Sequence, residues 1–282
     1  MTEGDGGIVF LDSAEAPQQV DVEIGGGRLV AHTCRAPEKT SDNEDSVAAI
    51  PYGPDAAVLV VADGAGGLPA GRRASRTAVR SLEASLQTAA QETMLLRTAI
   101  LNGIETANEA VLALGSGSAT TMTVVTIEGR IARSYQVGDS QALIVGNRGK
   151  IHAQTMAHSP TGFAVEAGFL DERDALHHEE RHLVSNFIGT TDMRIDIGAE
   201  VRLNPRDTVL LATDGLTDNV HLHEVTEIIR KGPLAKAVES LTGLARRRMT
   251  VETLHQPSKP DDLSLILFRK PKKRAATPAG DG

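Results

Sequence analysis

The stretch VLVVADGAGG, residues 58–67, constrains the fold more than any other. Val58 to Ala62 form an unbroken apolar run that reads as a buried central strand. The run ends on a lone carboxylate, Asp63, and three of the next four residues are glycine. VLLATDGLTD, residues 209–218, repeats the design with Asp214 and Gly215. Two buried strands that each end in Asp-Gly, far apart in the chain, can deliver two carboxylates to one place.

The strands around these runs come in batches. VDVEI and RLVAHTC flank Gly25-Gly26-Gly27, a hairpin signature. SVAAI and AAVLVVA follow, with Pro51, Gly53 and Pro54 between them, and later TTMTVVTI, RIARSYQV, QALIVGN and KIHAQT, then EVRL, TVLLAT and LSLILFR. Apolar residues at helical spacing predict helices over 70–90, 93–114, 164–184, 222–230 and 233–250. Hairpin-linked strands mean antiparallel sheets, and paired helices mean a layer outside them. The expected class is therefore α+β, with stacked sheets covered by helix pairs. One continuous domain is expected over 19–269. A flexible, Gly-rich N-terminus is expected over 1–18, and a disordered basic tail over 270–282.

Composition narrows the function classes. A net charge of −8 argues against nucleic acid as a partner. The single cysteine, Cys34, excludes an internal disulfide framework and a cysteine metal cluster, and fits a reducing, cytoplasmic setting. The start MTEGDGGIVF lacks the basic and apolar regions of a signal peptide, and no run is long enough to span a membrane.

Five acidic sites sit at expected strand ends: Asn43-Glu44-Asp45, Asp63, Asp139 in VGDS, Asp214, and Asp261-Asp262. Strands of one sheet lie about 4.8 Å apart, so their ends can converge. Clustered carboxylates repel one another and need a positive charge to hold them. With no cysteine cluster and no fixed histidine spacing, oxygen ligation points to Mg²⁺ or Mn²⁺. A glycine after the aspartate leaves its carbonyl open to a metal. A two-metal site would suit phosphoryl chemistry.

The ordered motifs NEDSV, VVADGAGG, TTMTVVTI, VGDSQALIV, LATDGLTD and PDDLSLILF resemble the metal-dependent serine/threonine protein phosphatases, the PPM or type 2C family, over residues 28–268. AGFLDERDALHHEERHLVSNFIG, 167–189, is similar to the bacterial branch. The resemblance implies a β-sandwich of two antiparallel sheets flanked by helices. It implies a phosphorylated Ser/Thr protein as substrate, with a cognate Ser/Thr kinase as a possible partner, and attack on phosphorus by a metal-bridging water. In that reading Asp63 bridges two Mn²⁺ or Mg²⁺ ions and the Gly64 carbonyl ligates one of them. Asp214 and Asp261 bind the other, and Asp139 serves a third. Asp45 and Glu44 hold metal-bound waters.

Two positions depart from the family. Thr40 stands where many members carry a phosphate-gripping arginine, which leaves Lys39 and Arg35 as candidates for that role. Ala65 stands where some eukaryotic members have a histidine. The first departure motivates the alternative of a pseudophosphatase that binds without turnover. Ser140 lacks the surroundings of a serine nucleophile. His177, His178 and His182 are expected on an exposed helix face, and the resemblance places His158 where a mobile flap begins in the family.

Overall fold

The computed structural model describes residues 7–271 apart from 14, 66–69, 116, 177, 252 and 255. The chain opens with β1 (Val9–Leu11), β2 (Gln18–Ile24), β3 (Gly27–Cys34), β4 (Ser46–Pro51), β5 (Ala56–Ala62) and β6 (Gly64–Ala65). Helices α1 (Ala70–Gln91) and α2 (Leu96–Leu112) follow. Next come β7 (Ala119–Thr120), β8 (Met122–Glu128), β9 (Ile131–Val137), β10 (Gln141–Val145) and β11 (Ile151–Gln154). Short helices α3 (Pro160–Glu166) and α4 (Glu172–Ala175) precede β12 (Asp196–Ile197), β13 (Val201–Arg202) and β14 (Thr208–Ala212). The chain continues through α5 (Asp214–Thr217), α6 (Leu222–Ile229), α7 (Leu234–Thr250) and β15 (Leu263–Arg269).

The strands form two antiparallel sheets, so the α+β sandwich is as expected. The first has the order β1-β4-β5-β8-β9-β12, with β13 also on β9. The second has the order β11-β10-β14-β15-β3-β2. Strands β6 and β7 pair separately. Both faces of the central strands are covered, which is why they read as continuous apolar runs. In β5, Ala57, Leu59 and Val61 face the second sheet, where they meet Leu29, Val209, Leu211, Ile266 and Phe268. Val58, Val60 and Ala62 face outward onto Ala78 and Leu82 of α1 and Ile100 and Ile104 of α2. The second sheet is covered in the same way by α6 and α7, through Val225, Ile229, Val238 and Leu241. With few aromatic residues available, this three-layer core is filled by small aliphatic side chains, each contributing about 1.5–3 kcal/mol when fully buried.

Four expectations change. The stretch 1–18 is not wholly mobile, because β1 adds to the edge of the first sheet and buries Val9 and Leu11. The basic tail does not begin at 270: Lys270 is buried and pairs with Asp55 at 2.5 Å. Residues 272–282 lie outside the described residues. The predicted helix over 164–184 breaks into α3, α4 and a 3-10 turn at Glu179–His182. His178 therefore caps that turn, accepting a hydrogen bond from the Glu180 amide at 3.1 Å, rather than lying one helical turn from His182. His177 and the side chain of His182 lie outside the described residues.

Register brings the acidic sites to one end of both sheets. Ser46 opposes Ala62, so Asp45 and Asp63 project side by side from the first sheet. In the second sheet Gln141 opposes Ala212 and Ala212 opposes Leu265. Asp139, Asp214 and Asp261 therefore leave it at the same end. The turn Gly138–Ser140 carries the chain from β9 in the first sheet to β10 in the second.

Candidate metal centre

Each carboxylate is aimed by neighbours that fix its backbone. The Asp63 amide donates to Thr121 Oγ1 at 2.9 Å, and the Asp63 carbonyl accepts from the Thr121 amide at 2.8 Å and from Thr120 Oγ1 at 2.7 Å. Thr121 Oγ1 is also 2.7 Å from Ser140 Oγ, so the same threonine ties Asp63 to the turn that carries Asp139. Ser140 is fully buried, which suits an orienting role and not a nucleophilic one. Asp45 Oδ2 accepts from Thr213 Oγ1 at 2.9 Å, a bond that links the two sheets beside Asp214.

The two glycines after the aspartates have a packing role that the sequence did not reveal. A Cβ on Gly64 would overlap the Gly71 carbonyl on α1, and a Cβ on Gly215 would overlap the Asp262 carbonyl. Gly215→Ala is therefore expected to push the loop bearing Asp261 away from Asp214. The overpacking should cost about 1–3 kcal/mol. Thermal unfolding should show it as a Tm lowered by roughly 2–4 °C per kcal/mol, with hydrolysis reduced in parallel.

The doublet Asp261-Asp262 divides its work. Asp262 is buried and accepts from the Ala36 and Glu44 amides, both at 2.8 Å, and from Lys39 Nζ at 2.6 Å. Asp261 turns towards Asp214. Lys39 also pairs with Glu44 Oε2 at 2.9 Å. Burial works against the charge on Lys39, but its hydrogen bonds to Asp262 and Glu44 prevail and raise its pKa. Arg35 donates to the Ser41 carbonyl at 3.3 Å.

Two members of the cluster were not anticipated. Asp218, four residues after Asp214, joins it from the end of α5. Lys259 places its ammonium against Asp214, 3.1 Å from Asp218 and 3.5 Å from Asp261. The repeated aspartate in TDGLTD was the available signal for Asp218. Nothing local marks the lysine.

The electrostatics are those of crowded anions. Burial, then Asp214 and Asp218, push Asp139 up to about 8. Burial and Asp214 push Asp261 to about 7 and Asp218 to about 6. Asp63 and Asp45 are raised well above the ordinary carboxylate value, first by burial and then by neighbouring aspartates. One Lys259 ammonium does not balance this charge. Asp214 Oδ1, Asp45 Oδ1 and Glu44 Oε1 are buried without a hydrogen-bond partner. Such a donor set, all hard oxygens with buried lone pairs unmet, fits divalent cations of the Mg²⁺ or Mn²⁺ type. Among the described residues no three acidic, histidine or cysteine side chains are already spaced around an ion.

A cavity of about 640 Å³ opens beside Asp139, Asp214 and Asp218, walled by Ser159 and Val165 on one side and Leu222 on the other. His158, the residue before Ser159, is buried and does not line this cavity. Its Nδ1 accepts from the Gly138 amide at 3.1 Å and from Asn186 Nδ2 at 2.8 Å, so the proton lies on Nε2, 3.0 Å from Asp196. It clamps the turn that holds Asp139.

The family model for protein phosphatase 2C matches residues 37–255. The chain belongs to the protein phosphatase 2C family. Among its relatives, protein phosphatase PhpP of Streptococcus pneumoniae is 29% identical over 216 residues, covering 74% of this chain and 87% of PhpP. Among solved structures, the fold is similar to the Mycobacterium tuberculosis serine/threonine phosphatase PstP/Ppp (TM-score 0.72, 23% identity, 87% of this chain and 99% of that one). It is also similar to the PstP catalytic domain in complex with two manganese ions (TM-score 0.68, 23% identity, 87% and 99%).

Proposed function

We propose that the protein is a Mn²⁺- or Mg²⁺-dependent phosphatase that hydrolyses phosphoserine and phosphothreonine in proteins, opposing a Ser/Thr kinase. The observation that carries this reading is the convergence of six aspartates, 45, 63, 139, 214, 218 and 261, with buried oxygens left unpartnered. Asp63, the Gly64 carbonyl, Asp214 and Asp261 would hold two ions, with Asp139 serving a third and Asp45 and Glu44 orienting water. Bound divalent ions lower the pKa of water and neutralise phosphoryl charge. The chain's own part is to fix those carboxylates through Thr121 and Thr213 and to receive the substrate segment in the adjacent cavity. Lys39 is committed to Glu44 and Asp262, which favours Arg35 as the phosphate-gripping residue. Neither Ser140 nor Cys34 offers a nucleophile, since both are buried, so hydrolysis by water is the consistent route. The lone free cysteine suits a cytoplasmic setting. Among the described residues no helix is long and apolar enough to cross a membrane.

The test is hydrolysis of p-nitrophenyl phosphate and of a phosphothreonine peptide. Activity should appear with Mn²⁺, vanish in EDTA and return with excess Mn²⁺. Hydrolysis that ignores EDTA would sink the reading. One observation favours a second reading: a lysine ammonium already lies among the expected metal ligands. A pseudophosphatase would bind a phosphoprotein yet show no turnover at saturating Mn²⁺.

A further inference from the structure

We propose that Lys259 is a built-in competitor for the divalent ions: its ammonium holds Asp214, Asp218 and Asp261 together when no ion is bound, and must swing out when an ion takes Asp214 and Asp261. The inference rests on the metal-dependent reading above.

Three observations carry it. First, the ammonium makes ion pairs with all three carboxylates, and its side chain is only 20% exposed. A surface lysine that merely lay nearby would keep its head in water. Second, the root of the side chain is fixed. The Lys259 amide donates to Asn219 Oδ1 at 2.8 Å, and its carbonyl accepts from Asn219 Nδ2 at 2.8 Å. Asn219 is fully buried and also donates to the Gly215 carbonyl at 3.0 Å, so one amide side chain sets the lysine against the Asp-Gly step it faces. Ser258 is held on either side, by Arg181 through its carbonyl at 2.9 Å and by its hydroxyl on the Arg248 carbonyl at 2.7 Å. Pro257 and Pro260 bracket the pair, and a residue before proline is confined to extended backbone. The stem of Lys259 is therefore the movable part. Third, Asp214 Oδ1 remains buried and unpartnered although Oδ2 meets the lysine. That buried lone pair is left unmet by the ammonium. An ammonium and a divalent ion sharing so small a space repel each other, so each weakens the other's hold.

Calorimetric titration of Mn²⁺ into the EDTA-treated, dialysed wild-type protein and the Lys259→Met variant tests this. The variant should bind Mn²⁺ more tightly, by about ten- to a hundredfold, the range that neighbours of metal ligands command. It should also melt lower than wild type in EDTA, with the gap closing at saturating Mn²⁺. A second readout needs no variant. Reductive methylation of wild-type protein, followed by mass spectrometry, should find Lys259 protected in EDTA and several-fold more reactive in saturating Mg²⁺. Equal or weaker Mn²⁺ affinity in the variant, or Lys259 labelling unchanged while ions demonstrably bind, overturns the proposal and leaves the metal-dependent reading intact. Absence of ion binding in both proteins overturns both.

Discussion

Asp63→Asn is expected to abolish hydrolysis and, in EDTA, to stabilise the fold. The two effects have one cause. No described side chain donates a hydrogen bond to the Asp63 carboxylate, and burial together with Asp45, Asp214, Asp261 and Asp139 disfavours its charge. An amide of the same shape removes that repulsion and leaves β5 and its Thr121 anchor untouched. The gain should be on the order of 1 kcal/mol, or about 2–4 °C in Tm for a domain of this size. The loss of activity should be at least on the order of a hundredfold, since even neighbours of metal ligands cost 10–100-fold. Melting curves in EDTA and Mn²⁺-supported hydrolysis of the same preparation measure both. Retained activity would remove Asp63 from the reaction. A lowered Tm in EDTA would mean that its charge is compensated in the resting protein.

The ion-free protein should also lose stability as pH rises from about 4 to about 8. Asp218, Asp261 and Asp139 are raised from the ordinary value of 3.8 to about 6, 7 and 8. Each binds its proton more tightly in the folded chain than in the unfolded one. Between the unfolded and folded values the native state therefore holds more protons, and stability falls with increasing pH. Above about 8 the dependence from these groups ends. Lys259, raised above its ordinary value against the pull of burial by the three aspartates, contributes a stability that is complete below that ordinary value and constant across this window. The aspartates are close enough to titrate as a unit, so one broad transition is expected. In EDTA, Tm at pH 5 should exceed Tm at pH 8 by at least about 3 °C, the shift that 1 kcal/mol produces in a domain of this size. Saturating Mn²⁺ should flatten or invert the trend, because ions prefer deprotonated ligands. A Tm that rises with pH in EDTA would contradict this account.

The legible part of the site was the part written in backbone pattern. Val58–Ala62 and Val209–Ala212 read as doubly buried strands because every residue in them is apolar, and the aspartates that follow had to emerge at the strand ends. What remained hidden depends on side chains meeting across the fold. Lys259 lies in an unremarkable QPSKPDD loop, and its direction is set by Asn219, 40 residues earlier. Asp261 and Asp262 are chemically identical in sequence; only the amides of Ala36 and Glu44 decide which one turns inward. Strand β1 was missed because three residues are too few to establish a period, and the two-residue β12 for the same reason. The helical pattern over 164–184 was misleading because Gly168 and the 170–171 step interrupt it with a turn.

The acidic pit is a seam. Asp45 and Asp63 hang from one sheet, Asp214, Asp218 and Asp261 from the other, and Asp139 from the turn that crosses between them. The gap across that seam is the thickness of the sandwich, about 10 Å between stacked sheets. Leu59, Val61, Leu211 and Ile266 fill it. These aliphatic side chains thus act as shims between the two jaws of a vice, and a methyl group added or removed there resets the spacing of carboxylates it never touches. The tuning of ion affinity extends, in this architecture, into the oil of the core.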